Sequence, residues 1–261
     1  MTFADAKQRF STKVADYVRY RPSYPAAVLE ILRNECGLRP NHAVADVGSG
    51  TGVLSKLFLE NGNRVFGVEP NDGMRQAGED LLSEFRDFSS INGSAEATTL
   101  PDASADFVTA AQAFHWFEPI ATRVEFLRIL RPTGFLVIVW NDRQFDSTPF
   151  LRDYESMLRC FGTDYAKVNE SYPRQSQIQD FFAPNPFAHQ TFPNSQKFDF
   201  DGVRGRLRSS SYVPGPEQPA FAPMMAELER IFNAHQQNGE VSMDYMTHIY
   251  YGRLDATRNS G

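Results

Sequence analysis

Two cysteines, Cys36 and Cys160, are all that 261 residues contain. That is too few for a disulfide framework or a thiolate metal site, and it suits a reducing compartment. No apolar run reaches the roughly 18 residues of a membrane span, and no basic, apolar leader opens the chain. Neither insertion nor export is expected, and a cytoplasmic location is. Basic clusters are missing too. With a net charge of -6, the chain has no electrostatic footprint for a nucleic-acid backbone or an anionic membrane, which leaves a small molecule as the expected partner. No serine–histidine–aspartate set, metal-ligand cluster, internal repeat or low-complexity linker is visible. The length allows one large α/β domain with an insertion.

What is present is organised around Asp46-Val47-Gly48-Ser49-Gly50-Thr51-Gly52. The apolar run Ala43-Val44-Ala45 precedes it. Val53, Leu54, Leu57 and Phe58 follow on one face of a helix, so the unit reads strand, glycine turn, helix. Glycines remove side chains where a ligand approaches the backbone, and the first N–H groups of the helix face the same space. Arg64 to Val68 is a second strand, reached by a right-handed crossover. A helix of about ten residues rises about 15 Å and a five-residue strand about 16 Å, so the chain returns beside its first strand. Glu69 ends that second strand on the glycine-loop side, where a carboxylate can accept both hydroxyls of a ribose. A ribose and a backbone cradle together imply a nucleoside cofactor.

A nicotinamide fingerprint would carry a third glycine where this chain has Val53. The run with Asp46 two places before Gly48 instead resembles the first motif of class I S-adenosylmethionine-dependent methyltransferases. The resemblance continues through Val65 to Asn71 with Met74, through Asn92 to Glu96 before Leu100-Pro101, through Ala105 to Phe117, and through Leu130 to Phe135. It covers residues 40 to 141. It implies a doubly wound, Rossmann-like α/β fold of seven strands, mostly parallel, with an antiparallel C-terminal strand and a helical cap. It also implies S-adenosylmethionine contacts at Asp46, Gly48, Ser49, Gly50, Thr51, Gly52, Glu69, Pro70, Asn71, Met74, Ala95, Glu96 and Gln112. The aromatic and arginine segment Tyr17 to Pro25, and Ser209 to Pro214, are similar to the group that contains trans-aconitate methyltransferases.

In chain order this gives an N-terminal cover over residues 1–36, a cofactor-binding core over 37–141, a mostly helical cap over 142–190 and a completion of the sheet over 191–261. Prolines at 149, 173, 184 and 186 and rings from Phe145 to Phe187 mark the cap, whose aromatic residues are expected to cover the site. Phe187 to Phe192 and Lys197 to Phe200 are short strand candidates, and Val241 to Leu254 alternates as a strand. Tyr20 or Arg21 is expected at the methionine carboxylate of the cofactor, a guanidinium matching a carboxylate in bidentate geometry. The first 24 residues then act as a lid.

Tyr17, His115, Trp116, Trp140 and Tyr212 are expected on the acceptor side. His115 is either a general base or a loop-fixing residue bonded to backbone. No D-P-P-Y or N-P-P-Y run follows the fourth strand, which removes a cue for amino-group methylation of bases or amides. The expected reaction is in-line methyl transfer to a small-molecule acceptor, a carboxylate being one that needs no base. A nicotinamide-dependent oxidoreductase and a non-catalytic nucleoside-binding regulator are the alternatives.

Overall fold

A computed structural model describes residues 19–163, 165, 175–210 and 212–254. Seven strands form one sheet in the order β3-β2-β1-β4-β5-β7-β6. These are β1 (Ala43–Val47), β2 (Arg64–Val68), β3 (Phe88–Ile91), β4 (Ala105–Ala111), β5 (Leu130–Arg143), β6 (Phe187–Phe198) and β7 (Val241–Gly252). Strands β1 to β5 pair in parallel, and β7 lies antiparallel between β5 and β6. The order reverses direction between β1 and β4. In an open α/β sheet that reversal leaves a crevice beyond the carboxyl ends of the strands.

The helices are α1 (Ala27–Glu35), α2 (Val53–Glu60), α3 (Asp72–Leu81), α4 (Pro119–Ile129), α5 (Pro149–Phe161), α6 (Gln175–Phe182), α7 (Phe200–Arg208) and α8 (Phe221–His235). The side-chain period of two divides the sheet. Val44, Val65, Phe107, Val137 and Val139 pack on one face with Val28, Leu32, Leu54 and Phe58. Ala45, Val47, Val108 and Ile138 pack on the other with Phe126, Ile129, Phe181 and Phe182. A third cluster joins α5, α7 and α8 to Val241, Met243 and Tyr245 at the start of β7.

Three readings of the sequence change. Phe187–Phe198 is one continuous strand, not two, and it runs through Pro193. It lies at the sheet edge, where a missing N–H costs no ladder bond on the open side. β5 starts at Leu130, so the stretch Leu130 to Phe135, by resemblance the turn into the fifth strand, belongs to the strand itself, with an irregularity opposite Ala105 and Phe107. Among the described residues, the cap's rings do not line the crevice. Phe150, Tyr154 and Tyr165 fill the helical cluster, and Phe181 and Phe182 pack beneath the sheet against residues such as Phe126. Each ring carries a large apolar area that is best removed from water between elements.

No helix among the described residues is long and apolar enough to cross a membrane. No group of three or more metal-ligating side chains among them could hold a metal ion.

Candidate functional site

The crevice is lined on one side by Asp46, Gly48 to Thr51, Val53 and Leu54, and on the other by Trp140, Asn141, Arg143, Arg206, Tyr212 and Tyr245. Arg21, Pro22 and Tyr24 reach it from the N-terminal segment, and Gln112, His115 and Trp116 from the outlet of β4.

The glycine loop is held from within the protein. Gly48 and Ser49 donate their N–H groups to Val68 O, Gly50 donates to Glu69 Oε2 at 2.9 Å, and Gly52 donates to Ser49 O. Four of the loop's donors are therefore spent within the protein, and in the first turn of α2 the N–H of Ser55 bonds Asp46. The glycines also divide. A Cβ at Gly48 would meet Ala113 Cβ at 2.5 Å, and one at Gly52 would meet Leu82 Cδ1 at 2.6 Å. Those two glycines admit neighbouring side chains. At Gly50, with φ +56°, an added Cβ meets only Met74 Cε, at 3.4 Å, so this position is the one left open.

Asp46 is buried and accepts from Ser55 Oγ at 2.6 Å and Thr109 Oγ1 at 3.0 Å. Burial lifts its pKa to about 6, partly offset by those hydroxyls. It ties β1 to α2 and β4. Glu69 accepts one backbone N–H on each oxygen, from Gly50 and from Asn71 at 2.8 Å, and burial again pushes its pKa up. Each oxygen keeps a lone pair for a hydroxyl. Asn71 caps α3 by accepting from Met74 N, which fixes Met74 under the loop. Pro70 lies between these two anchors, and Ala95 is buried. Glu96 Oε1 accepts from Glu118 N at 2.9 Å, so its carboxylate helps start α4.

Beyond β4, Gln112 has φ +54°, and its amide meets the backbone of Asn141, accepting from its N–H at 2.7 Å. It lines the crevice and braces β4 against β5. His115 sits in a 3-10 turn over Phe114–Trp116. Its ring lies 4.4 Å from that of Trp116 and 5.1 Å from that of Trp140, centre to centre, and burial lowers its pKa to about 4. At neutral pH the imidazole carries no charge.

The N-terminal segment divides at Tyr20. Its ring packs against Gly205 and Phe198, outside the crevice lining, because Gly205 leaves no side chain in the way. Arg21 lines the crevice and donates Nη2 to Ser209 O at 3.1 Å. Ser23 O accepts from Asn141 and Asn194, so this part of the segment is bonded to the sheet, while residues 1–18 of the expected lid lie outside the described residues. Tyr17 lies outside the described residues.

Among the lining residues that escape the sequence reading are Arg143, Arg206, Tyr245 and Asn141. Arg143 Nη2 lies 2.6 Å from Glu155 Oε2, and its Nη1 is buried with no hydrogen-bond partner among the described residues. Arg206 donates to Tyr245 OH and Ser210 Oγ. On Tyr212, burial opposes ionisation, but Arg143, Arg206, a hydrogen bond with Ser210 and Arg21 outweigh it and pull the phenol below its usual range. The signals for the two arginines were present. Arg143 ends a strand as Glu69 follows one, and Arg206 falls between Val203 and Leu207 on the buried stripe of a helix.

The loop fits a nucleoside cofactor. Gly50 is open, Glu69 keeps two lone pairs, and Thr51 Oγ1 is buried with no partner among the described residues.

A family model described as a methyltransferase domain matches residues 45–138. An uncharacterized methyltransferase-like protein of Schizosaccharomyces pombe is 31% identical over 242 residues, covering 91% of this chain and 92% of that protein. An uncharacterized methyltransferase of Mycobacterium tuberculosis is 37% identical over 139 residues, 53% of this chain and 54% of its own length. A solved structure of a candidate type II methyltransferase from Anaeromyxobacter dehalogenans shares the fold with a TM-score of 0.66 at 21% identity, over 90% of this chain and 98% of that one.

Proposed function

Because the chain belongs to the S-adenosylmethionine-dependent methyltransferase family, we propose that it methylates a small carboxylic acid, in keeping with its resemblance to the trans-aconitate group. The observation that carries this reading is Arg143 Nη1, buried at the crevice and without a partner among the described residues. A buried guanidinium N–H left unbonded is costly, and a carboxylate is its natural acceptor.

When bound, S-adenosylmethionine supplies a methyl group on a sulfonium that is already a good leaving group. The chain's work is to bind, align and dry the reactants. Glu69 would accept from the ribose, Met74 and Ala95 would pack on the adenine, Glu96 would accept from its exocyclic amine, and Arg21 would take the amino-acid carboxylate. Trp116, Trp140 and His115 form a wall of rings that keeps water from the reacting atoms. Alignment of this kind supplies about 7–11 kcal/mol in well-oriented systems. A carboxylate acceptor is ionised at neutral pH, with an ordinary pKa near 4. No base is then required, and His115 acts as part of the wall.

The test is a transfer assay with radiolabelled cofactor across small carboxylic acids, phenols and amines. Label in a base-labile ester of an acid is the expected product. Label confined to base-stable ethers or amines would refute the acidic acceptor.

A further inference from the structure

Two buried arginines face the same crevice, and their surroundings differ. Arg143 is compensated. Its Nη2 bonds Glu155 Oε2 at 2.6 Å and Tyr165 OH at 2.8 Å, and the guanidinium lies over the rings of Phe145 and Tyr154. Burial works against the Glu155 carboxylate, but Tyr165, Arg143 and the more exposed Arg159, whose Nε lies 2.9 Å from Glu155 Oε1, outweigh it and hold the pKa below the usual range, so Glu155 stays ionised.

Arg206 is 5% exposed and makes its bonds to two neutral groups, Tyr245 OH and Ser210 Oγ, both at 3.1 Å. Among the described residues no carboxylate lies within ion-pair distance of it, and the groups that act on it electrostatically are tyrosines. A guanidinium does not release its proton, so the charge stays and lacks a counter-ion. Burying an unpaired charge is among the more costly things a fold does, and it persists where a ligand completes the pair. Asp46, the carboxylate in the crevice lining, is bonded to Ser55 and Thr109 and cannot serve.

We infer that Arg206 is the residue that selects an anionic acceptor, by supplying the uncompensated charge of the crevice, while Arg143, neutralised by Glu155, supplies a directed hydrogen bond. This rests on the reading of the crevice as an acceptor site for acids. Selection follows from removal of water around a fixed charge. An acid entering gains a partner, whereas a neutral analogue of the same shape leaves Arg206 unpaired. A corollary concerns stability. Without an anion, Arg206 costs the fold more than it contributes, so a neutral residue there should not lower the melting temperature.

Both tryptophans of the chain, Trp116 and Trp140, line the crevice, so intrinsic fluorescence reads its occupancy. With the protein saturated in S-adenosylhomocysteine, succinate is titrated against its neutral analogue succinamide. The wild type should prefer succinate. Arg206→Gln, which keeps donors for Tyr245 and Ser210, should lose about ten- to a hundredfold in succinate affinity, the worth of one charged hydrogen bond. It should keep its affinity for S-adenosylhomocysteine and its melting temperature. Arg206→Met is the second variant should the first not fold. Glu155→Gln should strengthen succinate binding by unmasking Arg143. Succinate affinity unchanged in a folded Arg206 variant, or weakened in Glu155→Gln, overturns the assignment while the acidic-acceptor reading stands. Equal binding of succinate and succinamide by the wild type overturns both.

Discussion

The two sides of the crevice are built by different means. The glycine-loop side comes from one stretch of chain, residues 46 to 54, and is shaped by backbone: left-handed glycines and carbonyls that accept within the loop. The facing side consists of side chains from β5, α7, the turn after α7, and β7, namely Arg143, Arg206, Tyr212 and Tyr245. Backbone geometry binds what is common to a family of reactions, and side chains on separate elements can change without disturbing it. The first side therefore suits a constant cofactor and the second a particular acceptor.

The sharpest way to break that contrast is Gly50→Val. The position has φ +56°, and its Cβ site is open apart from Met74 Cε. A branched side chain there occupies cofactor space, and left-handed backbone adds a strain of about 1–2 kcal/mol. We expect affinity for S-adenosylhomocysteine to fall by more than about a hundredfold, a loss of over 2.7 kcal/mol. Calorimetric titration measures it, and affinity within a few-fold of wild type would place the ligand elsewhere. Glu69→Ala comes next. Removing a charged acceptor costs about 1.5–3 kcal/mol, or roughly ten- to a hundredfold in affinity. The lost bonds to Gly50 and Asn71 add a lower melting temperature, because the loop loses a brace as well as the ligand an acceptor. A variant with a lower melting temperature and intact affinity would make Glu69 a strut alone.

A smaller effect is expected at Asn141, which joins the two sides. Its Oδ1 accepts from Thr247 Oγ1, its Nδ2 donates to Ser23 O, and its N–H donates to Gln112. Asn141→Ala leaves buried groups unpaired, a loss of about 1–3 kcal/mol in stability. It also loosens the segment that carries Arg21, so cofactor affinity should drop by about three- to tenfold, under 1.4 kcal/mol. Chemical denaturation and titration on one sample separate the two readouts. An unshifted denaturation midpoint would show that the network is not a brace.

How far the fold was legible follows the same division. The unit β1, glycine turn, α2 and β2 is local, and apolar period with turn residues identifies it. β6 was read as two pieces because Pro193 and its polar neighbours argue against a central strand, and sequence alone does not say that a strand will lie at an edge. The cap's aromatic residues were expected to cover the site, and composition does not say that Phe150, Tyr154, Phe181 and Phe182 pack between elements instead. Gln112 was placed at the site, yet its amide bonds the backbone of Asn141. Arg206 was missed for the deepest reason. Its neighbours on α7 mark the position as buried, but that it lacks a counter-ion depends on residues of β7 and the turn after α7 that only folding brings together.

The smallest effect is expected at His115, on the border between the two sides. Burial holds its pKa at about 4, against 6.5 for a free imidazole. Between those values the unfolded chain binds a proton that the folded chain does not, so stability rises with pH through the window and is lost as pH falls from 6.5 towards 4. Asp46 has the opposite sign. Its pKa is raised from 3.8 to about 6, the folded chain binds the extra proton, and stability falls as pH rises through that interval. These two groups therefore contribute opposing slopes over this range. His115→Asn removes one of them, so its melting temperature should gain on wild type as pH drops from 7.5 to 4.5, values chosen as roughly bracketing the window. Turnover should change by less than about tenfold, below the usual contribution of a general base, and the rate should show no acidic limb near pH 6.5 that depends on this residue. Parallel melting curves for the two proteins would mean that His115 is not held neutral by burial. A large fall in turnover, with loss of an acidic limb present in the wild type, would return His115 to the role of base and point to an acceptor that must give up a proton.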